Sequence, residues 1–265
     1  MNILAFDIGG TKISYAVVDE NGALQTKVTT EATPKNSFAI ATLVAKVRSV
    51  KDVDKLAVAT AGVVKDNQVC GKPINLPAGY ENIDFSAITS LPCKIENDAN
   101  AAIWAEYKIG ALKGCENCAM LTLGTGVGCG LIINGKIYRG TTGASGEVRY
   151  PISGGDLAEI AKKCGCYERD CFKIKALADG GDIPAQKALQ KWQDELGKAL
   201  VSMQEILDLE AFALSGSLAK IVDYQALEKA VLGQIWQPKV RILPAQTGAN
   251  AGLIGAALLW GKNNG

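Results

Sequence analysis

The chain contains no histidine. That removes Ser-His and Cys-His nucleophiles, imidazole metal ligands and an imidazole base. Acid–base chemistry must then fall to carboxylates, lysines or tyrosines. Two short stretches gather such groups. Asp7-Ile8-Gly9-Gly10-Thr11-Lys12 interrupts an apolar run that resumes at once. Glycines let a backbone come close to an anion and aim its N–H groups at it, and Thr11 and Lys12 add donors. Asp7 can hold Mg²⁺ directly or through water. The same residues also fit a plain tight turn preceded by an acid. A Walker loop or a dinucleotide fingerprint would need another glycine spacing and a helix after it, whereas residues 13–18 are strand-like. The second stretch, Glu96-Asn97-Asp98, ends one apolar segment and opens a helical one. Asp98 fits either a helix N-cap or a general base taking the proton of an alcohol that attacks a phosphoryl group.

The first pattern recurs. Residues 119–138, AMLTLGTGVGCGLIINGKIY, again give a short strand, a glycine-rich polar turn (Gly124, Thr125, Gly126) and a second strand. At a constant offset of 115 residues, Asp7 falls opposite Thr122, Gly9 opposite Gly124 and Val18 opposite Ile133. Such a repeat predicts two similar domains. Two hairpins of this kind facing each other would grip a phosphate chain from both sides.

The elements that must hold these groups read as α/β. Strands are expected at residues 3–6, 13–18 and 23–28, then at 56–60, 94–96 and 211–214. Helical spacing covers 37–50, 99–109, 183–208 and 250–261. In the third of these helices, Leu189, Trp192, Leu196, Leu200, Met203 and Leu207 form a core stripe. Ser215-Gly216-Ser217 comes after a strand and is expected to open a helix whose N-terminus favours an anion. The domain change is placed at residues 110–114.

DIGGTK, ENDANAA at 96–102, LTLGTGVGCG at 121–130 and GASGE at 143–147 occur in this order. Together they resemble the ROK family of bacterial sugar kinases and regulators, within the superfamily of sugar kinases, actin and heat-shock ATPases. The resemblance runs from Met1 to TGANAGLIGAALL at 247–259. It implies two ribonuclease H-like (actin-like ATPase) domains flanking a cleft: residues 1–112, with 250–265 packing back onto them, and residues 113–249. It also implies an ATP- and Mg²⁺-dependent kinase of the 6-hydroxyl of a hexose: glucose, or an N-acetylhexosamine such as N-acetylmannosamine. By the same resemblance Asp98 is the base. Asn97, Glu147, Asn75 in the PINLP turn and the backbone of Gly62 line the sugar. Asp7, Gly9, Gly10, Thr11, Lys12, Gly124, Thr125, Gly126 and Gly216 serve the nucleotide and its metal. A homodimer is typical of similar proteins. A sugar-responsive regulator and a catalytically degenerate sugar-binding protein are the alternatives. The regulators carry a DNA-binding segment ahead of the first hairpin, for which this chain leaves no room.

The family pattern breaks at one place. Where relatives carry a zinc-binding histidine, this chain has Tyr150. A sugar-binding glutamate is replaced by Lys173. Cys164, Cys166 and Cys171 survive, but three thiolates without a fourth ligand make a poor zinc site, so no zinc is expected. Eight cysteines in a chain of 265 residues are too sparse for a disulfide scaffold. A net charge of +1 offers nucleic acid no basic field. No apolar run is long enough to span a bilayer, and no signal peptide is apparent, so the cytoplasm is expected.

Overall fold

The computed structural model describes residues 1–49, 52–73, 75–124, 127–148, 156–237 and 239–261. Its frame is one strand arrangement built twice. In the first half, β1 (Asn2–Ile8), β2 (Lys12–Asp19), β3 (Thr29–Ala32), β4 (Lys55–Thr60) and β7 (Cys93–Asn97) form a sheet in the order β3-β2-β1-β4-β7. In the second, β8 (Cys118–Leu123), β9 (Val127–Ile133), β10 (Lys136–Ile137), β11 (Ala211–Ser215) and β12 (Arg241–Pro244) take the order β10-β9-β8-β11-β12. In each sheet the hairpin strands pair antiparallel, and the two later strands join in parallel. β5 (Val63–Lys65) and β6 (Gln68–Cys70) make a separate small hairpin.

Five layers arise from side-chain alternation along the strands. Leu4, Phe6 and Ile8 of β1 face α1 (Ser37–Ser49) and α2 (Phe85–Thr89), while Ile3 and Ala5 face the opposite way, toward α8 (Ala251–Leu258). The central layer consists of α8 and α3 (Asp98–Ile109), lying between the two sheets. It packs against the first sheet through small residues: Ala5, Ala16, Ala57 and Ala59 of the strands meet Ala101, Ala256 and Ala257. The second sheet supplies Cys118, Met120, Ile132, Ala211 and Ala213 to the other side of this layer. Its far face is covered by α4 (Leu157–Lys163), α5 (Cys171–Asp179), the long α6 (Ile183–Leu207) and α7 (Tyr224–Leu232). In α6, Trp192, Leu196, Leu200 and Met203 are buried, as the stripe predicts.

Close approach sets the central layer. A Cβ on Gly255 would lie 1.6 Å from the Ala101 carbonyl oxygen, so α3 and α8 cross backbone to backbone. Gly130 of β9 plays the same part against Ala99 and Ile103 of α3.

Three expectations need correction. The third strand starts at Thr29, not at 23. Leu24 makes one bridge to Val18, and the Thr26 hydroxyl takes the Val17 N–H in place of a backbone carbonyl, which delays regular pairing. The repeat keeps its offset of 115 only through the first strand of each hairpin. Ile8 pairs with Ile13 across four residues, but Leu123 pairs with Val127 across three. Beyond the turn Val18 therefore corresponds to Ile132, not Ile133, since Ile3 pairs with Val18 and Cys118 with Ile132. Finally, the segment after Gly216 is a 3-10 turn over Leu218–Ile221 rather than an α-helix, so it lacks the summed dipole expected there.

Candidate active site

The candidate residues meet where β1, β4 and β7 end beside the start of α3. Strand ends of this kind are where α/β sheets bind ligands. Asp7 is the penultimate residue of β1 and faces the central layer by the same alternation as Ile3 and Ala5. Its repeat partner Thr122 faces that layer from the other sheet, on the side of Met120. Gly252 of α8 leaves room for the Asp7 carboxyl: a Cβ there would stand 2.9 Å from Oδ2. Burial pushes the Asp7 carboxyl up to about 6; the nearby Asp98 carboxylate adds to the rise and Lys12 opposes it.

The turn after β1 is tied from behind. The Gly9 N–H donates to the Lys12 carbonyl at 3.0 Å. The Thr33 hydroxyl donates to the Gly9 carbonyl at 2.6 Å, and the Thr33 N–H to that of Thr11 at 3.0 Å. These bonds engage the carbonyls of Gly9, Thr11 and Lys12 and the N–H of Gly9, and so hold the turn in one shape. Gly10 has no room for a side chain, since Asn75 lies across it with its carbonyl oxygen 2.5 Å from a Cβ position. This brings the PINLP loop onto the glycine turn; Ile74 of that loop lies outside the described residues.

Asn97, not Asp98, is the N-cap of α3. Its side-chain oxygen accepts from the N–H groups of Ala99 and Asn100, at 3.0 and 3.1 Å. Its amide nitrogen donates to the Gly62 carbonyl at 2.9 Å, which fixes the turn after β4 to the start of α3. Gly62, at φ +98°, sits against Pro73. With the cap taken by its neighbour, Asp98 is left as the first residue of the helix, near the positive end of its dipole. Solvent reaches the residue, but its carboxyl sits in a recess. Burial raises its pKa first, the Ala99 N–H opposes this, and Glu147 adds to the rise. Asp7, Asp98 and Glu147 thus form one electrostatic group, drawn from both halves of the chain.

The second turn approaches from the other sheet. Gly216, at φ +86°, lies against the backbone of Leu123, just before Gly124; a Cβ there would be 2.3 Å from the Leu123 oxygen. Gly128 of β9 would place a Cβ 3.5 Å from that of Ala99, beside Asp98. The two hairpins therefore converge on α3. Thr125 and Gly126 lie outside the described residues.

Sequence reasoning missed the partner of Glu96. This side chain is 1% exposed. Its Oε1 accepts from the Asn97 N–H at 3.0 Å and from the Asn100 side chain at 3.1 Å. Its Oε2 accepts from Nε of Arg139, in the second half, at 2.8 Å and also from Nη2. A signal was available: a strand-end acid two residues before Asp98 can be buried there only if something cationic receives it. The pair borders a cavity of about 680 Å³, lined also by Lys94, Lys136, Trp104 and Trp260.

Glu106, in the third turn of α3, is fully buried. One oxygen accepts from the Gln246 and Thr247 N–H groups and the Thr247 hydroxyl, the other from the Ala111 N–H. Both chain crossings between the two sheets are thus fastened to one carboxylate.

Cys164, Cys166 and Cys171 belong to the outer layer of the second sheet, whereas Cys115 and Cys118 lie in the central layer. The CxxC pair therefore cannot complete the three-thiol cluster. Three thiols alone do not fit structural zinc, which takes four ligands. Tyr150 lies outside the described residues, and Lys173 stands exposed on α5.

Comparison with known proteins identifies the family. The ROK family model matches residues 3–179 and 173–263. The chain belongs to the ROK family. Among its ROK relatives, the N-acetylmannosamine kinase of Yersinia pestis (strain Pestoides F) is 33% identical over 98% of both chains. The ROK glucokinase of Streptomyces griseus, solved in complex with glucose and AMPPNP, superposes with a TM-score of 0.78 at 28% identity, covering 98% of this chain and 99% of that one. A ROK protein of Streptococcus pneumoniae in complex with sucrose gives a TM-score of 0.84 at 28% identity, over 98% of both chains. The fold is that of the actin-like ATPases. Among the described residues, no helix is long and apolar enough to cross a membrane.

Proposed function

We propose that this ROK protein is an ATP-dependent sugar kinase that phosphorylates the 6-hydroxyl of a hexose. N-acetylmannosamine is favoured as acceptor by the sugar kinases it matches end to end, with glucose as the comparison substrate. The observation that carries the reading is the Asp7–Asp98–Glu147 group beside a glycine turn whose carbonyls are tied back. Residues 1–112 with 250–265, and 113–249, are the two domains in this reading. The reaction consumes ATP and is placed in the cytoplasm.

The roles are those the family resemblance implies, and the positions of the residues support them. Asn97 and Glu147 hold sugar hydroxyls, with the Gly62 backbone and Asn75 beside them. Asp98 accepts the proton of the attacking hydroxyl as the new O–P bond forms and the bond to the departing ADP oxygen breaks. Its pKa, raised mainly by burial of the carboxyl, makes it a stronger base than an ordinary aspartate. The Gly9–Lys12 turn and Gly124, with Gly216 packed behind it, hold the phosphates. Asp7 fits a magnesium ligand: a crowded hard-oxygen donor whose charge is poorly compensated by Lys12. When bound, Mg²⁺ would neutralise charge on the transferring phosphates. Approach of the two domains would exclude water and limit ATP hydrolysis.

Incubation with ATP, Mg²⁺ and a panel of hexoses and N-acetylhexosamines, monitored by ADP release, tests the reading. Turnover on one sugar is expected. In Asp98→Asn it should fall by about 10²–10⁴-fold with sugar binding retained. Sugar binding without any turnover in the wild type would replace the kinase with a sugar-binding protein.

A further inference from the structure

We propose that Arg139 is a positioning residue that assembles the site across the two halves of the chain. This rests on the sugar-kinase reading of that site and adds a residue to it. Among the described residues, Glu96–Arg139 is the one ion pair between the two halves. One side of it organises the acid: Glu96 holds the Asn97 N–H and the Asn100 side chain, so it braces the turn from which Asp98 projects. The other side organises Glu147. The Arg139 carbonyl accepts from the Ser145 N–H at 3.2 Å, and Gly140 leaves space for the Ser145 side chain, which folds residues 139–147 back on themselves. Gly143 then abuts the Val64 carbonyl of the first half, with a Cβ position 2.5 Å away, and Gly146 abuts the Cys129 carbonyl. Glu147 comes directly after and acts on Asp98.

The guanidinium gives Glu96 two donors on one oxygen, a fork that fixes direction as well as charge. Without it a buried carboxylate loses its cation and must reorganise, and the turn bearing Asp98 moves with it. A misplacement of about 1 Å near reacting groups can cost about 100-fold in rate. Arg139 touches neither sugar nor phosphate in this scheme; it acts through Glu96 and through its own loop.

The test uses the full chain with Arg139→Gln, Arg139→Lys and, as a control, Lys136→Ala, which removes another cation from the same cavity wall. In Arg139→Gln, kcat/KM for the sugar should fall by about 100-fold, through both a lower kcat and a higher sugar KM, while the KM for ATP stays within about twofold. Arg139→Lys should recover part of the loss, and Lys136→Ala should match the wild type. Unchanged sugar KM and kcat in folded Arg139→Gln would overturn the proposal, as would a loss explained entirely by a smaller folded fraction. Amide hydrogen exchange gives a readout independent of turnover. Exchange should quicken at residues 97–100 as well as at 139–147 in Arg139→Gln. Quickening confined to 139–147 would refute coupling across the halves, even if the wild type proved to phosphorylate no sugar.

Discussion

Asp7 shows a single side chain working against the fold that holds it. Its carboxyl is raised to about 6 mainly by burial, from an ordinary value near 3.8. A group that binds its proton more tightly when folded makes the native state less stable as pH rises between those two values. The full effect, at most about 3 kcal/mol at roughly 1.4 kcal/mol for each tenfold change in proton affinity, is reached above pH 6. Asp7→Asn should therefore raise the denaturation midpoint at pH 8, have little effect on it at pH 3.5, and abolish Mg²⁺-dependent turnover. Urea unfolding at the two pH values, read beside ADP release, checks both halves of that statement. Asp98 carries a pKa displaced in the same direction. As it must be ionised to accept a proton, kcat/KM should decline on the acid side at a pH above the usual carboxylate range. In the residual activity of Asp98→Asn the contribution of Asp98 to that limb should be lost, leaving only the decline set by Asp7. From its own stretch of sequence Asp98 fits a cap as well as a base, and only the two hairpins and the family motifs favour the base. The structure gives the cap to Asn97, whose side-chain oxygen is already shared by two helix N–H groups.

At the scale of elements, the central pair of helices depends on small residues. Gly255→Ala would place a methyl group within the Ala101 carbonyl of α3, far inside contact distance. The helices would have to separate, at a cost of about 1–3 kcal/mol or more. Thermal unfolding should show the loss, whereas Gly181→Ala, with no neighbour within 4 Å but a φ of +91°, should show only local strain. Hairpins and helices were legible because their signals are local: alternation, helical spacing and a glycine turn. The third strand was misread because the Thr26 hydroxyl stands in for a backbone partner, which no pattern of apolarity reports. The one-residue difference between the two turns escaped for the opposite reason. Both second strands are apolar on most positions, so sliding one against the other leaves the text almost unchanged while the register moves.

For the whole molecule, the duplicated strand order was legible from the repeat and from the family motifs, but the ties between halves were not. Glu96 and Arg139 are 43 residues apart, and Glu106 and Gln246 are 140 apart. Nothing in either neighbourhood names its partner. Glu106 gathers four donors at the two crossings, and charge-assisted bonds of this kind contribute about 1.5–3 kcal/mol each when a partner is lost. Glu106→Gln keeps the shape but turns one acceptor into a donor that faces N–H groups. It should lower stability by several kcal/mol, about 3 by this measure, and loosen residues 244–251 in hydrogen exchange before the sheets themselves. The two clasps on α3, one just ahead of its first residue and one in its third turn, also define a line. Any swing of one half against the other that leaves both fastenings intact has to turn about that line, like a door on two pins. Spectroscopic labels set close to α3 would then keep their separation on adding ligand, while a pair on the outer helices, far from the pins, would sweep the widest arc.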